Sequence, residues 1–302
     1  MHIQDACEQA YKNGFAAGKL SEQESKNTQG KNSMDSLGNR MKGYEDISRI
    51  YLTKRSPVII RIDGRAFHTF TRGFKKPFDA ILMNTMKKTA QSLCEKIAGC
   101  KLAYTQSDEI SLLLIDYDTN ETQPWFENNL QKLVSVAASM ATLAFNKAFD
   151  EYFGLYDQCF QECWQDCEQE NMYRKKLFEA REKGATFDAR AFILPKEEVC
   201  NYFIWRQQDA TRNSILSVAQ AHFSHKELQG KKCDILQDML FKEHGINWNN
   251  YPIDEKRGSC VVKTKIPLNG VMRSKWVIDE QIPIFTAQRT YIDRHVFGEE
   301  LQ

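Results

Sequence analysis

Two mostly apolar runs that end in acidic residues constrain this chain most. Residues 58–62 read Val-Ile-Ile-Arg-Ile and are followed by Asp63 and Gly64, which predicts a short buried strand with a carboxylate at its end. Because a buried unpaired carboxylate is costly, Asp63 should be paired, bound to metal or placed at a wet edge. Gly64 permits a tight turn there. The backbone amides that follow form a candidate phosphate-binding nest, contributed by Arg65, Ala66, Phe67 and His68.

The second run predicts a β-hairpin with an acidic tip. Residues 102–106 and 110–115 have the composition of two strands, with Ser107, Asp108 and Glu109 at the turn between them. If these strands lie beside the first one, Asp63, Asp108 and Glu109 converge on a pair of divalent cations, an arrangement typical of phosphoryl transfer. Taken singly, an Asp-Gly turn and an Asp-Glu hairpin tip are also common loop features without catalytic meaning.

The order and spacing of these and further motifs resemble one family, the tRNA(His) guanylyltransferases and their template-dependent relatives, the 3′-to-5′ polymerases. The resemblance covers about residues 34–302 and is carried by RIDGRAFH at 61–68, QSDE at 106–109, FDAR at 187–190, WRQQDATRN at 205–213, LQG at 228–230 and INWNN at 246–250. It implies an α+β fold similar to the palm of polymerases, a ferredoxin-like antiparallel sheet with helices packed on one face.

The resemblance also implies roles for individual residues. Asp63 and Asp108, with the backbone carbonyl of Gly64, would hold two Mg²⁺ ions per active site, and Glu109 is the third catalytic candidate. The implied nucleotide-binding residues are Asp63, Gly64, Arg65, Ala66, Phe67, His68, Lys76, Ser107 and Asp108. The implied contacts to RNA or to a second phosphate are Lys132, Arg206, Arg212 and Asn213.

The implied reaction adds nucleotides to the 5′ end of tRNA. The 3′-hydroxyl of the incoming nucleotide attacks an activated 5′-phosphate, and catalysis consists mainly of positioning and charge neutralisation. The expected substrates are tRNA, GTP and other nucleoside triphosphates, with ATP as a candidate for activation. A homotetramer, a dimer of dimers, and a cytoplasmic location are also expected. The alternatives are a tRNA(His)-specific guanylyltransferase, a non-catalytic RNA-binding palm factor, and a nucleotide cyclase or ordinary palm polymerase, although the GGDEF hairpin of cyclases is absent.

Two segments depart from the pattern of the tRNA(His)-specific members. Those members carry His-Ile-Asn-Asn after the WRQ motif, whereas residues 211–214 here read Thr-Arg-Asn-Ser, so that Asn213 alone is kept. Their basic cluster after a Trp-Phe pair is replaced here by Glu127, Asn128 and Asn129, with Lys132 as the one match. These differences favour template-dependent 5′-end repair of truncated tRNA and weaken the expectation of ATP-dependent activation.

Composition adds few constraints. At 302 residues and 42% hydrophobic content, the chain can bury one substantial core or two modest ones. Because the net charge is only +1, RNA contacts should lie on local basic patches, for which further candidates are Lys226, Lys231, Lys232, Lys263 and Lys265. No apolar run approaches the roughly 18 residues of a membrane span.

The remaining expectations concern domains and helices. Residues 1–33 are predicted to be a polar, flexible tail without a targeting signal, and residues 34–302 the catalytic domain with a C-terminal helical and strand extension. Helices are predicted at 79–98, 125–153, 158–181 and 197–223, and late strands at 261–266 and 276–278. Cys159, Cys163 and Cys167 are predicted to be reduced thiols in a stripe on one helix, in preference to a metal site.

Overall fold

The computed structural model describes residues 36–163, 167–268 and 271–298. The chain divides into two units after Arg49. The described part of the first unit contains helix α1 (Ser36–Ile47), which has no buried residue. The predicted tail, residues 1–33, lies outside the described residues, so its boundary with the catalytic domain stays a prediction.

The second unit is built on a six-stranded antiparallel sheet, which confirms the predicted α+β fold. Its strands are β1 (Val58–Gly64), β2 (Cys100–Gln106), β3 (Glu109–Leu114), β4 (Phe187–Ile193), β5 (Ser259–Leu268) and β6 (Val271–Asp279). Their order across the sheet is β4-β1-β3-β2-β5-β6. The two strands that end or begin with acidic residues, β1 and β3, are therefore neighbours in the middle of the sheet.

Helices connect and cover these strands. Their bounds are α2 (Phe67–Phe70), α3 (Ala80–Lys96), α4 (Leu130–Cys163), α5 (Glu168–Lys183), α6 (Val199–His222), α7 (His225–Leu228), α8 (Cys233–His244), α9 (Ile253–Arg257) and α10 (Thr290–Phe297). The Asp79 side chain caps α3 by accepting a hydrogen bond from the Leu82 amide. None of the described helices is both long and apolar enough to cross a membrane.

Helices pack on both faces of the sheet, so the expectation of helices on one face was wrong. Along β1, Ile60 and Ile62 enter a core shared with α3, α4 and α5, whereas Ile59 enters a core shared with α6 and α10. All residues of β3 are buried. A strand buried on both faces shows a nearly continuous apolar run, as residues 58–62 and 110–115 do, so the sequence did carry a signal for helices on both faces.

Several predicted boundaries also differ. The helix predicted at 125–153 begins later, at Leu130, after a turn in which Phe126, Glu127 and Asn128 have positive φ values of 50°, 54° and 63°. It then continues to Cys163, while the helix predicted at 158–181 begins at Glu168. The predicted helices at 79–98 and 197–223 correspond to α3 and α6. Strand β4 was not predicted, because it lacks a continuous apolar run and because two of its partly buried positions are Ala189 and Ala191, which have low strand propensity.

Candidate active site

The acidic ends of β1 and β3 meet at one edge of the sheet. Asp63 is the cross-strand partner of Glu109, and the Gly64 amide donates a hydrogen bond of 3.1 Å to the Asp108 carbonyl. Both Asp63 and Asp108 are half-buried. Two carboxylate residues that are distant in sequence are thus brought to one partly wet edge, as the sequence predicts.

The hairpin turn is shorter than the sequence indicated. Gln106 pairs with Glu109, so that Ser107 and Asp108 alone form the turn and Glu109 is the first residue of β3. Ser107 has a φ of 50°, the left-handed region that tight hairpin turns use. Its hydroxyl donates to Asp108 Oδ1 at 2.9 Å, which orients that carboxylate.

Gly64 allows the chain to turn directly into α2. A Cβ atom at this position would lie 2.2 Å from the Phe67 ring, and that ring packs against Phe70, Phe145 and Phe187 with centroid distances of 5.2, 5.4 and 5.1 Å. Any side chain at residue 64 would therefore collide with the aromatic core under the loop.

The predicted phosphate nest is narrower than proposed from the sequence. The Arg65 amide donates to the Thr186 carbonyl at 2.9 Å, so it is not available to a phosphate. Ala66, with a φ of 54°, is the N-cap of α2, and the amides of Phe67 and His68 are the first amides of that helix. Such amides have no acceptor within their own helix, and they point outward beyond its N-terminal end. The amide of Ala66 adjoins these two, and the three remain the nest candidates.

The electrostatics of this edge favour a bound cation. Burial raises the pKa of Asp108, the Ser107 hydrogen bond opposes that rise, and the neighbouring Asp63 carboxylate adds to it. Two nearby carboxylates of this kind suit Mg²⁺, which takes hard oxygen ligands and keeps several waters. Among the described residues there is no group of three or more His, Cys, Asp or Glu side chains that could hold a metal ion. The remaining ligands would be backbone, water and substrate oxygens.

Glu109 and Arg206 form a buried ion pair. Arg206 Nε and one terminal nitrogen donate to the two Glu109 oxygens at 2.7 and 2.8 Å, and these residues are 5% and 6% exposed respectively. Burial raises the pKa of Glu109, and the Arg206 guanidinium lowers it. Arg206 was predicted as an RNA contact, but its burial removes it from the surface. A signal for this existed, because Arg206 falls on the helical stripe of Phe203 and Ala210.

A cleft of about 150 Å³ adjoins the hairpin turn. Ser107 and Asn213 both line it, and Lys76 is exposed beside its wall. The other residues that line it are Pro77, Phe78, Asp79, Leu82, Met83, Gln106, Ala210, Ser214, Ser217, Asp254, Glu255 and Gly258. Arg212 is exposed and pairs with Asp209. Of the four predicted RNA or phosphate contacts, Asn213 therefore lies at the cleft itself and Arg212 lies next to it in sequence.

Lys132 lies far from this edge within one chain. Trp125 and Asn128 line a small cavity together with Val58, which is about 17 Å along β1 from Asp63. Lys132 lies beyond that turn, with its Nζ 5.8 Å from the Phe126 ring centroid. The structure thus does not bring Lys132 together with Asp63 and Asp108.

The residues that replace the basic cluster have structural contacts. Asn128 is 2% exposed, and its backbone carbonyl accepts from the Leu52 amide. Asn129 accepts from the Lys132 amide through its side chain at the start of α4. Asn128 and Asn129 therefore stabilise the turn and the start of α4.

The predicted cysteine stripe is divided. Cys159 and Cys163 lie in α4, whereas Cys167 precedes α5, and all three are exposed and free. They do not share one continuous helix as predicted. The preference for reduced thiols over a metal site stays a prediction.

The fold is that of a palm-like α+β protein, and the two carboxylates at its edge suit nucleotidyl transfer. A family model described as tRNAHis guanylyltransferase matches residues 38–195. The chain belongs to the tRNA(His) guanylyltransferase family, whose members are nucleotidyltransferases that act on the 5′ end of tRNA.

Individual relatives agree with this assignment. A solved bacterial tRNA(His) guanylyltransferase-like protein in complex with ATP is 45% identical, with a TM-score of 0.71, and the match covers 87% of this chain and 100% of that one. A solved complex of such a bacterial protein with GTP is 44% identical, with a TM-score of 0.69 and the same coverage. The tRNA(His) guanylyltransferase of Debaryomyces hansenii is 29% identical over 226 residues, which is 70% of this chain and 76% of that protein.

Proposed function

We propose that this protein repairs truncated tRNA by adding nucleotides to its 5′ end in the 3′-to-5′ direction, with the opposing strand as template. The observation that carries the proposal is the Gly64 to Asp108 hydrogen bond, which holds Asp63 and Asp108 at one edge beside a cleft. The bound ATP and GTP of the bacterial relatives support a nucleoside triphosphate as the substrate of this edge.

Asp63 and Asp108 would hold two Mg²⁺ ions, with the Gly64 carbonyl as a further ligand. Bound there, the ions would neutralise charge on the attacking and leaving oxygens of an in-line displacement. Ser107 keeps the Asp108 carboxylate oriented through its hydrogen bond. Ala66, Phe67 and His68 present helix N-terminal amides to a triphosphate. Lys76, exposed beside the cleft, supplies a positive charge for the same phosphates.

The cleft provides the place for the nucleoside of the incoming nucleotide. Its wall carries amide and hydroxyl groups from Asn213, Ser214 and Gln106, which can hydrogen-bond a base or a sugar, next to apolar surface from Leu82 and Met83. Polar groups of this kind orient a nucleotide without recognising one particular tRNA. A correct pair with the template base would complete the alignment of the 3′-hydroxyl with the 5′-phosphate.

The two segments that differ from the tRNA(His)-specific members bear on which 5′ end of the RNA the protein prefers. The segment 211–214 lacks the histidine of the tRNA(His)-specific members, and 127–129 lacks their basic cluster. We therefore expect a 5′-triphosphate end, which brings its own leaving group, to react faster than a 5′-monophosphate end that needs activation by ATP. We also propose that the protein is a homotetramer and is located in the cytoplasm.

The test uses four tRNA substrates that each lack one 5′ nucleotide and differ in the opposing base, prepared as 5′-mono- and 5′-triphosphates. Each is incubated with each of the four nucleotides. The proposal predicts addition of the complementary nucleotide in every case, fastest from the triphosphate. Addition of guanosine to tRNA(His) alone, regardless of the opposing base, would instead identify a tRNA(His)-specific guanylyltransferase, the activity for which the fungal relative is named.

A further inference from the structure

Two polar contacts join α6 to β3 next to the sheet edge that carries Asp63 and Asp108. Tyr202 and Ser111 share a hydrogen bond of 2.7 Å between their hydroxyls, and Arg206 holds Glu109 through two hydrogen bonds. Tyr202 and Arg206 are four residues apart on the helix, a rise of about 6 Å. Ser111 and Glu109 are two apart on the strand, about 6.8 Å. Because the two spacings match, both contacts form in one register of the helix along the strand, and the charge-assisted, two-pronged Arg206 pair is the stronger of the two.

Both carboxylate oxygens of Glu109 are engaged by hydrogen bonds in this arrangement. Oε1 accepts from Arg206 Nε, and Oε2 accepts from the terminal nitrogen of the same guanidinium. Arg61 adds a second positive charge, with its Nε 3.8 Å from Oε2. A carboxylate between two guanidinium groups is already neutralised, and the same groups would repel a divalent cation. Asp63 and Asp108, in contrast, are half-buried at the wet edge.

The same helix also forms a wall of the cleft. About one helical turn after Arg206, the Asp209 carboxylate accepts a hydrogen bond of 2.8 Å from Arg206 and forms an ion pair with Arg212. Asn213, which follows Arg212 in sequence, lines the cleft together with Ser107. The register set by Arg206 therefore determines both the position of Glu109, which adjoins the Ser107–Asp108 turn, and the position of Asn213.

We propose that Arg206 is a positioning residue for nucleotide addition, and that Glu109 is its anchor and not a third metal ligand. By holding Glu109, Arg206 keeps the adjoining turn, and with it the Asp108 carboxylate, in place for metal binding. By the same contact it holds the Asn213 wall of the cleft. The inference rests on the proposed metal-dependent nucleotidyl transfer.

The test compares Arg206→Lys, Arg206→Met, Glu109→Gln and the Glu109→Gln/Arg206→Met double variant. Mn²⁺ affinity and stoichiometry are measured by electron paramagnetic resonance, together with kcat, the KM for GTP and Tm. Tyr202→Phe is the matched control, since it removes the neighbouring contact and leaves the ion pair. Asp63→Asn is the control for the metal site itself.

We expect Glu109→Gln and Arg206→Met each to lower kcat or Mn²⁺ affinity about 10- to 100-fold, as loss of an outer partner of a metal ligand does. The double variant should be no worse than the worse single variant, because both remove one interaction. Arg206→Lys should recover part of the loss, since it restores the charge without the two-pronged geometry. Tyr202→Phe should retain Mn²⁺ affinity and stoichiometry.

Two results would overturn the inference. One is loss of a Mn²⁺ ion in Glu109→Gln with both ions kept in Arg206→Met, which would make Glu109 a ligand. The other is a lower Tm in the Arg206 variants with kcat and Mn²⁺ affinity unchanged, which would make the pair merely structural. If Arg206→Met does not fold, Arg206→Lys and Glu109→Gln decide by the same criteria. Unchanged Mn²⁺ binding in Asp63→Asn would refute the proposed metal site itself, a separate failure.

Discussion

At the scale of single residues, Gly64 contributes both to the packing of the core and to the geometry of the candidate active site. Its amide holds Asp108, and its missing side chain leaves room for the Phe67 ring. Gly64→Ala should destabilise the protein by about 1–3 kcal/mol through overpacking, and it should also lower activity because the amide moves. Thermal unfolding and nucleotide addition measure the two effects. Gly154→Ala is the control, since a Cβ in that exposed helical position meets nothing within 4 Å and should leave activity unchanged.

Lys76 gives a second prediction at this scale. Lys76→Ala should raise the KM for nucleoside triphosphates while RNA affinity stays unchanged, because a point charge beside the phosphates is lost. The neighbouring Lys75 is engaged with Glu170 at 2.8 Å, so Lys75→Ala is a matched control that should leave this KM nearly unchanged. A constant KM together with a large loss of RNA affinity would place Lys76 on the RNA side.

Residue roles divide into those that local pattern reveals and those that it does not. Asp63 and Asp108 were predictable because a carboxylate at the end of an apolar strand needs a special reason. The pairing of Glu109 with Arg206 joins residues 97 positions apart and depends on how α6 packs on β3. The sequence could indicate that Arg206 is buried, but not which acid it meets. The cleft is formed by four separate segments and had no local signal.

At the scale of elements, the β5–β6 hairpin is the best candidate for an RNA contact outside the cleft. β5 pairs with β2 only through Ser259–Val262, and beyond this the two strands continue as a ribbon. The ribbon is basic, and residues 259–278 contain no acidic residue. Its exposed cations are Lys263, Lys265, Arg273 and Lys275. An element of this kind would contact the RNA backbone without reading its sequence.

Replacement of these four cations by Gln should therefore weaken tRNA binding and flatten its salt dependence. Each lost phosphate contact should reduce the slope of log K against log salt by about 0.7 to 0.9. Binding measured at several salt concentrations checks this, with Lys242→Gln as a control that removes an exposed lysine engaged with Asp238. A slope equal to that of the parent would remove the ribbon from the RNA-binding surface.

Elements with a strong pattern were predicted well and the others were not. β1, β3 and α3 have continuous or helical apolar periodicity and were found close to the expected positions. β4 is an edge strand with exposed Asp188 and Arg190, so it lacks the pattern of a buried strand. The start of α4 is set by positive φ values before Leu130, which composition alone does not determine.

At the scale of the whole molecule, the antiparallel sheet follows from motif order, whereas the two-sided helix cover does not. The chain places α3, α4 and α5 on one face and α6 on the other, so the apolar side chains of β1 and β3 pack in cores on both faces. This arrangement leaves the ends of β1 and β3 as the wet edge where Asp63 and Asp108 meet. The proposed activity belongs to that edge.

The most direct test of this account is 5′-end labelling of a truncated tRNA by the parent and by Asp63→Asn and Asp108→Asn, with magnesium and radiolabelled GTP opposite a template cytosine. The parent should extend the 5′ end, and either variant should lose this activity while its Tm shows that the fold is kept. Extension at the 3′ end by the parent would contradict this assignment. So would turnover within about tenfold of the parent in either variant, because a tenfold change in rate corresponds to only about 1.4 kcal/mol in the activation barrier.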